Sequence, residues 1–119
     1  MTNKAQLLED SLFLVWSNTD VEQRLQAMQK IYSEDICFYE SDSAEPVIGY
    51  ENINTLITGL QSGWAPGFSF QLSRPSQTNH GIEIASWTLG IPGDEPVAGG
   101  TDIAVVEKGK ISALYLYLD

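Results

Sequence analysis

Along the first third of the chain, apolar residues recur with a helical period. Ala5, Leu8, Leu12, Val15 and Trp16 fall on one stripe, and Val21, Leu25, Met28, Ile31 and Tyr32 fall on a second, which predicts two amphipathic helices. Between them, Thr19-Asp20-Val21-Glu22 reads as a capping box, with the threonine hydroxyl and the glutamate each closing a free amide of the second helix. Tyr32-Ser33-Glu34-Asp35 is expected to end that helix. Residues 36–40 form a short β-branched and aromatic run, and a polar loop through Asp42, Ser43, Glu45 and Pro46 leads to Gly49. A third helix is expected beyond it, with the stripe Ile53, Leu56, Ile57 and Leu60 and a stop at Gly63.

After Gly63 the period changes from helical to alternating. Phe68, Phe70 and Leu72 alternate with Ser69, Gln71 and Ser73, and Glu83, Ala85, Trp87 and Leu89 alternate with Ile82, Ile84, Ser86 and Thr88. These are predicted strands of a meander. Turn residues stand at the joints: Asn79-His80-Gly81, residues 92–96, and Glu107-Lys108-Gly109-Lys110. Residues 97–106 and 111–118 complete the sheet. Helices first and strands afterwards define one α+β domain over residues 1–119: a cone-shaped curved antiparallel sheet wrapped around three N-terminal helices, with an apolar cavity where the helices do not fill it.

One hairpin carries a more detailed expectation. A three-residue loop at Glu107-Lys108-Gly109 pairs residue 106 with 110 and places Asp102 opposite Leu114, on one face with Leu114, Leu116 and Leu118. An ionised aspartate on a leucine wall is costly, so Asp102 is expected to be neutral or tied to a hydrogen-bond donor. The same register turns Thr101, Ile103, Val105, Ala113, Tyr115 and Tyr117 outward. With Ile82 and Ile84 they make an outer face too apolar for water, so a homodimer through that face is expected.

Composition narrows the partners. The 119 residues are 43% hydrophobic and carry a formal net charge of −10, ordinary for a folded domain and unlike a disordered chain. The basic residues Lys4, Arg24, Lys30, Arg74, Lys108 and Lys110 are scattered, so nucleic acid, anionic membrane and polyanionic ligands are not expected partners. Residues 1–6 lack the apolar core of a secretory signal and no run of about eighteen apolar residues follows, so a cytoplasmic protein is expected. The lone Cys37 allows no internal disulfide and reads as a buried, inert thiol. The lone His80 sits in a turn, which leaves no metal cluster or nucleophile triad, and there is no glycine-rich phosphate loop. No cofactor is expected.

Tyr32-Ser33-Glu34-Asp35, Gly49, Gly100-Thr101-Asp102 and Gly109-Lys110-Ile111 occur in an order and spacing that resembles the nuclear transport factor 2-like superfamily, which includes ketosteroid isomerases, SnoaL-like polyketide cyclases and scytalone dehydratase. The resemblance implies that Glu40 stands at the position of the isomerase general base. It also implies that Asp102 matches the protonated aspartate of the oxyanion hole. It breaks on the first helix, where the isomerases place a tyrosine donor and this chain has Leu12, Phe13 and Trp16, so steroid isomerisation by that route is not expected. Tyr32 is the candidate substitute donor. The candidate ligand-binding residues are Trp16, Tyr32, Phe38, Leu56, Trp64, Trp87, Leu114, Leu116 and Leu118.

Two functions fit. One is a cofactor-free isomerase, cyclase or lyase acting on an apolar, carbonyl-containing metabolite, with Glu40 as base and Asp102 as oxyanion-side donor. The other is a non-catalytic binding or accessory domain holding such a metabolite. Convergence of Glu40 and Asp102 on one cavity favours the first.

Overall fold

In the computed structural model, which describes residues 3–119, the first apolar stripe makes one helix in two parts. Gln6–Asp10 is α-helical (α1), and Ser11–Trp16 widens into a π-helical segment closed by Ser17 N–H donating to Leu12 O at 3.0 Å. Ser11 and Trp16 would diverge by roughly 140° around an α-helix. The wider π turn brings them onto nearly one side, and both bond the Tyr32 hydroxyl, Ser11 Oγ at 2.5 Å and Trp16 Nε1 at 3.0 Å. α1 has no side-chain cap of its own. Its free amides are taken by side chains distant in sequence, with Ala5 N–H donating to Ser76 Oγ and Leu8 N–H to Glu83 Oε1, both at 2.9 Å.

The second helix, α2 (Val21–Ile31), is capped by Asp20 and not by Thr19: Asp20 is the last extended residue, and its carboxylate accepts from Gln23 N–H at 2.9 Å. Its buried face is Arg24, Met28 and Ile31, while Val21 is 45% exposed. Arg24, one of the scattered basic residues, is 1% exposed. It donates to Asn54 Oδ1 (2.6 Å), Thr58 Oγ1 (2.5 Å), Gln61 Oε1 (2.9 Å) and Asn18 O (2.9 Å), which ties α2 to the third helix, α3 (Tyr50–Gln61). α3 starts after Gly49, whose φ of +87° suits a residue without Cβ.

Tyr32 does not end α2. Its φ of −105° and ψ of 148° begin strand β1 (Tyr32–Glu40), because pairing with Ile111 across the sheet and burial of the ring outweigh another helical turn. The remaining strands are β2 (Val47–Ile48), β3 (Ser69–Leu72), β4 (Gln77–Asn79), β5 (Ile82–Gly90), β6 (Ala98–Glu107) and β7 (Lys110–Leu118). They form a sheet in the order β2-β1-β7-β6-β5-β3, with β4 also on β5. Every pair is antiparallel except β1–β7, so the expected antiparallel sheet is in fact mixed. The long excursion through α3 and the other strands returns the chain to β1 running in the same direction. The sheet is open and curves around the three helices.

The β6–β7 hairpin also differs from expectation. Its loop has two residues, Lys108 (φ 52°) and Gly109 (φ 78°), with Glu107 paired to Lys110, the signature of a tight primed turn. Continued without interruption, that pairing would set Asp102 opposite Tyr115 and turn the tyrosines inward. An irregularity between Val105 and Val106 leaves Ser112 as the extra residue and restores the face. Asp102 therefore pairs with Leu116, not Leu114; the displacement is an even number of residues, so the leucines still share its side.

The core lies between the helices and the concave face, built by Leu8, Leu12, Val15, Met28, Ile53 and Ile57 against Ile36, Ala104, Ile111 and Leu114. Cys37, expected to be buried, is half-buried beside Ala113 in register, on the face turned away from the helices. His80 is exposed in the β4–β5 turn.

Candidate functional site

Leu56 and Leu60 on α3 line one side of a cavity of about 280 Å³. Leu12 and Trp16 close it from the first helix. The sheet contributes Phe38, Phe70, Trp87, Leu89, Leu116 and Leu118, with Ala98 at the rim. Two acidic side chains, Glu40 and Asp102, interrupt this apolar wall. Leu116 pairs with Glu40 on one side and with Asp102 on the other. Residues directly opposite in neighbouring strands point to one face, so the carboxyl groups flank a leucine with their backbones about 10 Å apart.

Asp102 is 7% exposed, and its Oδ1 accepts from Trp87 Nε1 at 2.9 Å. Burial pushes its pKa up to about 7, and the Trp87 hydrogen bond opposes that rise. Among the described residues Oδ2 has no hydrogen-bond partner. The indole reaches Oδ1 because Gly100 has no side chain: a Cβ there would lie 2.8 Å from Trp87 Cζ2 and 2.7 Å from Tyr117 O. Phe70 holds the other side of the indole in an edge contact, centroids 5.0 Å apart at 90°. Glu40, at the end of β1, is half-buried.

Eight of the eleven residues expected at the site line this cavity: Trp16, Phe38, Glu40, Leu56, Trp87, Asp102, Leu116 and Leu118. The other three lie elsewhere. Tyr32 is wholly buried behind Trp16, its hydroxyl engaged by Ser11 and Trp16 and its phenol held well above the ordinary pKa by burial, so it is not placed as a substitute donor. Trp64 packs outside the lining, tilted against Phe68 and edge-on to Phe70. Leu114 is 1% exposed, packed in the core one row deeper than Leu116. Leu12, Leu60, Phe70, Leu89 and Ala98 were not singled out, although the first four fall on apolar stripes visible in the sequence. A wider depression of about 810 Å³ beside Gln29, Glu34, Tyr50 and Lys110 is open and lined by no buried side chain.

The architecture matches solved structures over its whole length. A protein assigned as an isomerase of the SnoaL-like family from Agrobacterium tumefaciens superposes with a TM-score of 0.85 at 24% identity, covering 100% of this chain and 99% of that one. A protein assigned as a SnoaL-like polyketide cyclase from Jannaschia superposes at 0.74 with 12% identity, covering 100% and 89%. An NTF2-like protein of unknown function from Cytophaga hutchinsonii superposes at 0.66 with 12% identity, covering 100% and 95%. The chain has the NTF2-like fold. No family pattern matches the sequence, and no curated protein does. In this NTF2-like domain no group of three His, Cys, Asp or Glu side chains among the described residues is arranged to hold a metal. No helix is long and apolar enough to cross a membrane.

This arrangement provides a mostly apolar pocket with two carboxyl groups in different settings. Asp102 accepts from Trp87 through Oδ1, which leaves Oδ2 as the oxygen free to carry a proton when the acid is neutral. Glu40 stands across Leu116 from it, nearer to water.

Proposed function

We propose that the cavity binds a small apolar metabolite bearing a carbonyl and that the protein is a cofactor-free isomerase, cyclase or lyase. Glu40 removes a proton from the carbon beside the carbonyl, the electron pair of that C–H bond moves onto the carbonyl oxygen, and Asp102 Oδ2–H donates a hydrogen bond to the oxyanion that forms. The observation that carries this reading is the shared row Glu40–Leu116–Asp102 on the cavity wall. Relatives in fold that are assigned as isomerases and polyketide cyclases support the reaction class. The protein is proposed to work in the cytoplasm as a homodimer through the outer face of the sheet.

The direct test is exchange of carbon-bound hydrogen. A panel of apolar cyclic ketones is incubated with the protein in deuterated water and followed by NMR. Exchange by wild type, lost in Glu40→Gln while the ketone still binds, is the expected result. Binding without exchange in wild type would leave a carrier or accessory domain in place of the enzyme.

A further inference from the structure

A neutral carbonyl is one ligand these walls fit, but their charge and aromaticity fit another. Every ionisable side chain that lines the cavity is acidic: Glu40 and Asp102 do, and no Lys, Arg or His does among the described residues. Four aromatic side chains surround them, paired as Trp16 with Phe38 and Phe70 with Trp87, each pair 5.0 Å between centroids. Asp102, which lines the cavity, is 7% exposed, with Oδ1 fixed by Trp87 and Oδ2 without a hydrogen-bond partner among the described residues. A carboxylate or phosphate entering this space meets only like charge. An ammonium group meets opposite charge in a low-dielectric wall and aromatic rings that attract cations.

We propose that the cavity also takes a small apolar organic cation, an amine or quaternary ammonium on a hydrocarbon body, with its charge against Asp102 Oδ2 and its methyl or methylene groups among the Trp16, Phe38, Phe70 and Trp87 side chains. The inference rests on the cavity's being the ligand site and not on turnover. The groups facing Asp102 from the surrounding elements are few: Glu40 across Leu116 on β1, and the Tyr32 phenol, which stays neutral behind Trp16. The first helix and α3 present only Leu12, Trp16, Leu56 and Leu60 to the cavity. Protonation of Asp102 therefore selects the ligand. The neutral acid donates to a carbonyl, and the carboxylate holds a cation, so the two ligand classes occupy one cavity at opposite ends of the Asp102 titration.

The test uses the tryptophan fluorescence of the intact protein, because Trp16 and Trp87 line the site. Phenyltrimethylammonium, whose charge does not change with pH, is titrated beside its uncharged isostere tert-butylbenzene, at pH 5.5 and 8.5 and in high salt to screen the general attraction of an acidic protein for cations. The expected result is at least tenfold tighter binding of the cation than of the isostere at pH 8.5. That preference should fall tenfold or more at pH 5.5, while the isostere is unaffected by pH. Asp102→Asn, which keeps the acceptor for Trp87, should abolish both the preference and its pH dependence, with circular dichroism confirming the fold. Equal binding of the two probes at pH 8.5 overturns the inference and leaves the cavity reading intact. Binding of neither overturns both. A preference that survives in Asp102→Asn and disappears in Glu40→Gln overturns the assignment to Asp102.

Discussion

Glu40 and Asp102 stand on opposite sides of Leu116 in a single register row, one on the parallel neighbour of β7 and the other on its antiparallel neighbour. They are 62 positions apart in the chain (102 − 40) and belong to different hairpins. The central strand brings them together, with its Leu116 between them.

The raised pKa of Asp102 makes stability depend on pH. Between about pH 4, where an unfolded aspartate releases its proton, and about pH 7, where the folded one does, the native state retains a proton that the unfolded chain has lost. The contribution is present in full below that window and disappears as pH rises through it, a loss on the order of 4 kcal/mol for about three pKa units. Asp102→Asn should therefore match wild type in urea unfolding near pH 4 and exceed it at pH 8. A pH-independent difference between the two would contradict a buried, late-titrating acid.

Gly100→Ala is expected to destabilise the protein by about 1–3 kcal/mol, as overpacking does. The new Cβ meets Tyr117 O, a backbone atom that cannot swing away, and the Trp87 indole. Displacing the indole removes the donor to Asp102 Oδ1, so the Asp102 titration, read by NMR of the labelled carboxyl carbon, should move further upward. Wild-type stability with an unmoved titration would show that β6 shifts to make room.

Arg24→Leu should cost about 2 kcal/mol or more in chemical denaturation, because it strands the Asn54 and Gln61 amide oxygens and the Asn18 carbonyl around a buried apolar side chain. Arg24→Lys should recover only part of that loss, since one ammonium cannot reach acceptors spread over the guanidinium fork. Loosening α3 also moves Leu56 and Leu60, so weaker occupancy of the cavity by any bound probe is expected in both variants.

On the outer face, Tyr39 stacks on Tyr115 with centroids 4.6 Å apart and planes 12° from parallel, beside Tyr117 at 54% exposure and Ile82 at 44%. A wild-type dimer in light scattering at micromolar concentration and a monomer for Tyr115→Glu are the expected results. A wild-type monomer would contradict the proposed homodimer.

The chain's own periodicity determined much of this protein: three helices before a sheet, with Ala85, Trp87 and Leu89 on one strand face. Those properties follow from the spacing of apolar residues within one segment, which is local information. Tertiary structure decided the rest. Tyr32 left its helix for a strand because Ile111, far along the chain, offered a partner. The caps of α1 came from Ser76, in the loop before β4, and Glu83 on β5, and a scattered-looking arginine became the buried clasp between α2 and α3. The partner of Asp102 was set by a tight turn and an extra residue at Ser112, two one-residue shifts in the same direction that alternation alone cannot register because it specifies the face and not the neighbour. For the same reason no local pattern could bring Glu40 beside Asp102; their meeting depends on which strand the returning chain pairs with, a choice made by long-range hydrogen bonds and packing.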